Sequence, residues 1–198
     1  MTESDRKADL RYYLQEARGA LLWKLEGLSE YDIRRPMVPT GTNLLGLVKH
    51  LAGVEIVYLG ETFGRPFAGK IPWDEADPNG DMFATPDESR DLITGLYQRA
   101  WAHSDATIEA LDLDETGRVP GWPAGRDEVT LHHILVRVIA DTGQHAGHAD
   151  IIRELIDGAA GLTAGRPNLP SSEPAWWSAH RQRVEETARE AAARSATA

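Results

Sequence analysis

"TLHHILVRVIADTGQHAGHADIIRELIDG", residues 130–158, begins as an ordinary amphipathic helix and then breaks its own pattern. Counting by threes and fours from Leu131 gives Ile134, Val138, Asp141, His145, His148 and Ile152, one stripe of a 3.6-residue helix. Thr130 is a good N-cap and Gly158 a good stop, so the spacing predicts a helix from near Thr130 to just before Gly158. A carboxylate and two imidazoles therefore share the face that the apolar residues mark for burial. Such groups cost several kcal/mol when buried alone, so they must pair, bind a cation or be reached by water.

Working outward, the same periodicity recurs. Leu10, Tyr13, Leu14, Ala17, Leu21, Leu25 and Leu28 place a first helix over 7–28. In "TGTNLLGLVKHLAGVEIVYLGETFG", residues 40–64, Thr42 or Asn43 is the N-cap of a second, Leu47, His50, Leu51, Val54 and Tyr58 form its stripe, and Gly64 stops it. A third is predicted from the Thr85 cap, with Pro86 at its first position and Glu88 completing a capping box, through Ile93, Tyr97, Ala100, Ser104, Ile108 and Leu111. A last helix spans about 174–194 and ends in "EETAREAAAR", which suits an exposed terminus. Arg65–Ala84 is long for a helical hairpin and reads as a crossover or a cover over a site. The Gly- and Pro-rich stretches 116–129 and 158–174 read as loops, and no segment alternates as a strand would. These features predict an all-α fold: a four-helix bundle with a long connection between its second and third helices and an extra C-terminal helix, in a single domain over 1–198 with its core at about 8–160.

Composition narrows the function. The chain of 198 residues has 21 basic and 31 acidic residues, a formal charge of −10, which repels phosphate backbones and anionic lipid, so neither nucleic acid nor a membrane is an expected partner. No run approaches a membrane span, and "MTESDRKADL" has no signal-peptide core, so a cytoplasmic location is expected. Helical bundles often pair, which makes a homodimer one expected state. There are no cysteines, so any sulfur chemistry must come from a second molecule.

Asp141 and His145 are four apart, one turn along the same face, the relation two side chains need to share one metal ion. His50 lies on the inner stripe of the second helix, so three ligand-type residues from two facing helices can converge. Two imidazoles and one carboxylate leave coordination positions open, as catalytic zinc sites and non-haem iron(II) sites do. The competing arrangement for Asp141 is an ion pair with Arg137, four residues earlier. His148 has three readings: a ligand in place of Asp141, a hydrogen-bond donor behind the ligands, or a group facing substrate. His103, His132, His133 and His180 read as surface or packing residues. Trp73 and Trp122 lie in loops where an aromatic ring can cover a small-molecule substrate, Trp176 and Trp177 read as docking residues of the last helix, and Tyr58 reads as packing.

"GTNLLGLVKHLAGVE" (41–55) and "ADTGQHAGHADIIRELIDG" (140–158) resemble the DinB/YfiT-like superfamily of metal-binding four-helix bundles, and more closely its actinobacterial branch related to mycothiol-dependent enzymes. The resemblance extends over about 8–160. It implies a divalent ion, often zinc or nickel, held by one His of the second helix and a pair spaced by four on the fourth: here His50, Asp141 and His145. The commoner pattern has three His, and a carboxylate at 141 makes a weaker Lewis acid, although some relatives in this branch carry an acid there. It further implies a low-molecular-weight thiol, mycothiol or similar, as cosubstrate for transfer or isomerisation on a small electrophile, with zinc ahead of nickel or iron as the metal and His148 as the group that moves a proton. Superfamily members without demonstrated activity leave a second expectation, a non-enzymatic metal- or small-molecule-binding stress or resistance protein.

Overall fold

The computed structural model describes residues 2–71 and 77–196, and the chain divides into two units, one ending at Pro167 and the other starting at Asn168. The first unit is an all-α bundle. Its helices are α1 (Glu3–Trp23), the short α2 (Glu30–Arg34), α3 (Leu44–Leu59), α4 (Arg90–Ala110) and α5 (Leu131–Asp157). The second unit holds α6 (Pro174–Ser195), which begins at Pro174, has no buried residue, and gathers Trp176, Trp177 and His180 ring against ring at its start.

Pairwise contacts give the bundle's order and direction. The α3 helix packs on both α4 and α5, and α1 packs on α5. Lys7 near the start of α1 donates to Leu111 O just beyond α4, and Arg11 pairs with Glu109, so these two helices run antiparallel. Arg153 late in α5 donates to Lys24 O and Glu26 O at the end of α1, so α1 and α5 run parallel. Asn43 and Lys49 at the start of α3 contact Met82 and Glu88 just before α4, and Gly60 at the end of α3 abuts His103 late in α4, so α3 and α4 are also parallel and the chain must return along the bundle between them. That return is the physical reason for the long connection.

Three boundaries follow the expected capping chemistry, and one does not. Asn43 Oδ1 accepts from Gly46 N at the start of α3, Thr130 Oγ1 accepts from His133 N at the start of α5, and Gly158 ends α5 at φ 80°, a left-handed position that suits glycine. Gly64 does not stop the second helix as expected: α3 ends at Leu59 with Gly60 as its C-cap, and Gly64 (φ 65°) closes the 3₁₀ turn Glu61–Phe63 that follows.

Three further expectations need correction. The first helix stops at Trp23 rather than 28, because the chain turns through Gly27 (φ 74°) and the freed carbonyls of Lys24 and Glu26 are taken by Arg153. The α4 helix starts at Arg90, capped by Ser89 Oγ, not at Thr85. Half of the Thr85 capping box forms, with Thr85 N donating to Glu88 Oε2 at 2.7 Å, but the Glu88 carboxylate also binds Lys49 Nζ and its carbonyl accepts from Arg34, which holds 85–89 as a separate turn. Residues 116–130 are not wholly loop: Thr116–Arg118 (β1) and Glu128–Thr130 (β2) pair antiparallel in a two-strand ribbon, too short to show alternation in sequence.

The core is aliphatic. Leu14, Leu47, Leu51, Ile93, Ile134 and Val138 have no exposed surface, and each such side chain stabilises the fold by roughly 1.5–3 kcal/mol. Within it lies a polar cluster: Arg18 of α1 donates from Nε and Nη2 to the two oxygens of Glu55 on α3 at 2.7 and 2.5 Å, and from Nη1 to Asp105 of α4 at 2.8 Å.

The returning connection docks on the first turns of α3. Asn43 Nδ2 donates to Met82 O at 3.2 Å, Lys49 Nζ to Phe83 O at 2.9 Å, and a methyl group on Gly46 would overlap the Met82 carbonyl. Gly46→Ala should therefore push residues 81–83 off the helix at a cost of about 1–3 kcal/mol, read as a lowered urea midpoint with an unchanged slope.

Candidate metal centre

His50 sits on α3 between the fully buried Leu47 and Leu51, and Asp141 and His145 sit one turn apart on α5. The antiparallel packing of α3 against α5 brings them together: the His50 and His145 rings have centroids 4.9 Å apart, and His145 Nε2 lies 3.6 Å from Asp141 Oδ1. One ligand atom from each of the three falls within 4.8 Å of the other two. Tetrahedral zinc bonds of ~2.1 Å place donors about 3.4 Å apart, so closure needs side-chain shifts of about an ångström. The Asp141–His145 spacing is already near that value.

The site is at the edge of the bundle rather than in its centre. Side-chain exposure is 15% for His145, 25% for His50 and 27% for Asp141. The buried face of α5 runs through Thr142, Ala146 and Ala149, each one position past Asp141, His145 and His148, so the polar members of the predicted stripe lie at its margin and His148 is exposed, while Ile152 is buried again. Its Nδ1 is 3.4 Å from His145 Nδ1, so it lies beside the cluster without belonging to it.

A further observation lies behind His50. Its Nδ1 is 2.7 Å from Asp81 Oδ2, on the returning connection. A carboxylate there fixes the tautomer with Nδ1–H toward Asp81 and leaves the Nε2 lone pair for an electrophile, the support that metal-ligating histidines characteristically have. The donor set therefore fits a divalent cation: two imidazole nitrogens, one carboxylate, and an acid orienting one of the imidazoles.

The family description mycothiol-S-transferase matches residues 9–158, nearly the whole helical unit. This chain belongs to that family. A solved structure titled as a conserved protein from Enterococcus faecalis is similar with a TM-score of 0.55 and 16% identity, over 80% of this chain and 99% of that one; that likeness speaks to the fold alone. No curated protein matches the sequence.

In this member of the mycothiol-S-transferase family, burial pushes the His145 imidazole below its ordinary range, the His50 ring adds to the effect, and Asp141 opposes it. His145 thereby stays neutral, the form that binds metal. Arg137 does not pair with Asp141, the alternative that its spacing offered. Its guanidinium lies 5.0 Å from the Tyr58 ring centre and 5.1 Å from that of Trp122, with Nη2 3.3 Å from Tyr58 Oη. Trp122 does reach the α3–α5 groove, through its 6.1 Å contact with Tyr58, whereas Trp73 lies outside the described residues. Asp81 was invisible to sequence reasoning: it is one acid in "NGDMFA", a stretch with no periodicity and no motif.

Proposed function

We propose that this protein is a divalent-metal-dependent enzyme of the cytoplasm that joins a low-molecular-weight thiol, mycothiol or a close analogue, to a small electrophile. The observation that carries the reading is the convergence of His50, Asp141 and His145 with Asp81 behind His50. Zinc is the favoured ion for two imidazoles and a carboxylate with positions left open. Bound there, it would keep a residual positive charge and so favour a thiolate over a thiol, the reactive form of the nucleophile.

The chain's own residues supply the rest. Asp81 holds the His50 ring in one orientation, and the partial burial of His145 keeps it unprotonated. His148, exposed beside His145, accepts the thiol proton and passes it to solvent. The sulfur then forms its bond to carbon as the leaving group departs with the electron pair; with a haloarene the products are the thioether and halide. The absence of cysteine from the chain leaves no internal thiol to compete.

The test is a rate assay of zinc-loaded protein with mycothiol and 1-chloro-2,4-dinitrobenzene. A rate above the uncatalysed reaction that is lost in His50→Ala is expected. No rate above background in the zinc-loaded wild type would remove the enzymatic reading, and tight ligand binding without turnover would make the protein a metal- or small-molecule-binding module instead. Asp141 gives that second reading its footing, since a carboxylate in place of a third imidazole weakens the site as a Lewis acid.

A further inference from the structure

We propose that Arg137, seated over Tyr58 and Trp122 one helical turn from Asp141, anchors a carboxylate carried by one of the two cosubstrates. The inference rests on the thiol-transfer reading of the same groove and adds the class of group that it recognises.

Arg137 is the only Arg or Lys in α5 before Arg153, and the single cation of α3, Lys49, is turned to Phe83 O and Glu88. In a chain with a surplus of ten negative charges, an exposed arginine four residues before an aspartate ordinarily pairs with it. Here Asp141 is turned to His145, and among the described residues Arg137 has no carboxylate partner. Its flat face is occupied by two aromatic rings at 5.0 and 5.1 Å, an arrangement that immobilises a guanidinium while leaving its N–H edge available. A planar fork of donors fits the two oxygens of a carboxylate, whereas a lone arginine neutralises only part of a phosphate dianion.

The spacing suits a small ligand. Arg137 is one turn, about 6 Å along the axis, from Asp141, but its guanidinium sits over Tyr58, two turns or about 12 Å along α3 from His50; less the contacts of about 3 Å and about 2 Å at the two ends, that span is close to the length of a substituted benzoate or a short mercapto acid. A reacting carbon or sulfur at the His50–Asp141–His145 cluster and a carboxylate at Arg137 can therefore belong to one molecule. Holding both ends fixes the direction of approach, which a three-residue metal site alone leaves free. Trp122, carried by the ribbon's connecting turn, would lie along the body of that molecule.

The test measures binding by calorimetry, with one cosubstrate at a time so that nothing turns over. Two pairs of probes identify which cosubstrate carries the acid: 4-chloro-3-nitrobenzoate against its methyl ester on the electrophile side, and 3-mercaptopropanoate against its methyl ester on the thiol side. In at least one pair the acid should bind zinc-loaded wild type about tenfold more tightly than the ester, the effect of a charge-assisted hydrogen bond. Arg137→Met should erase that preference and keep the zinc content and melting temperature of the wild type; Arg137→Lys should keep part of it. Equal binding of acid and ester in both pairs, or an undiminished preference in Arg137→Met, overturns the inference. The zinc measurement separates the two readings: zinc bound with no acid preference removes the anchor and leaves thiol transfer standing, whereas an acid preference in a protein that takes up no zinc removes thiol transfer and leaves the anchor.

Discussion

Purified His145→Ala is expected to hold no stoichiometric zinc, and Asp81→Asn to bind it about 10- to 100-fold more weakly than wild type. The two variants act on different atoms. His145 supplies a donor that α5 aims across the groove at His50, with the ring centroids 4.9 Å apart, and without it the cluster falls from three donors to two. Asp81 touches no ion in this reading. It receives the Nδ1–H of His50 at 2.7 Å, so the amide in its place leaves the ligand set intact while loosening the ring and reducing its basicity. Metal content by mass spectrometry after dialysis, followed by competition with a chelator, reads both effects. A wild-type protein without zinc, or one in which His145→Ala retains it at full stoichiometry, would sink the metal centre. An Asp81→Asn protein with wild-type affinity would show that the His50–Asp81 contact is an edge interaction and nothing more.

Glu55→Ala should destabilise the fold by about 3–5 kcal/mol, the cost of leaving a buried charge without its partner. Arg18 is 1% exposed and Glu55 fully buried, so water cannot replace the lost carboxylate. Asp105 would remain on Nη1, but Nε and Nη2 would face the cavity left by the glutamate. Denaturation in urea gives the loss directly. Replacing both partners with apolar residues, as in Arg18→Met with Glu55→Leu, should recover most of the stability, because removing two buried charges together also removes their desolvation cost. A single-variant loss under about 1 kcal/mol would mean that solvent reaches the guanidinium. Both variants lie away from the proposed ligands, so zinc uptake by the folded fraction should be unchanged.

How far these residues were legible differs from case to case. The spacing of Asp141 and His145 is a local fact: four residues on a helix always neighbour each other, and the apolar stripe of α5 runs from Leu131 to Ile152 whatever it packs against. His50 was legible for the same reason, as a polar residue among Leu47, Leu51 and Val54. The start of α4 was misread because Thr85, Pro86 and Glu88 form a capping signal that a longer-range contact, Lys49 on Glu88, uses for a different purpose. The ribbon of β1 and β2 was missed because three-residue strands carry too few side chains to alternate.

The sequence by itself determined the helical periodicity, the caps at Asn43, Thr130 and Gly158, the lack of any thiol, and which three side chains are candidates to meet a cation, since periodicity and caps depend on residues within a few turns, the lack of thiol on composition, and each candidate on its place in the stripe of its own helix. Tertiary structure alone decided that the candidates meet at the bundle's edge, that Asp81 returns to His50, that Arg18 closes on Glu55, and that Arg137 turns from Asp141 to Tyr58 and Trp122. Those pairings join residues 31, 37 and 79 positions apart. Their partners are selected by how the parallel pair α3 and α4 forces the chain back along the bundle and how α5 packs across it, and no local pattern records the outcome of that packing.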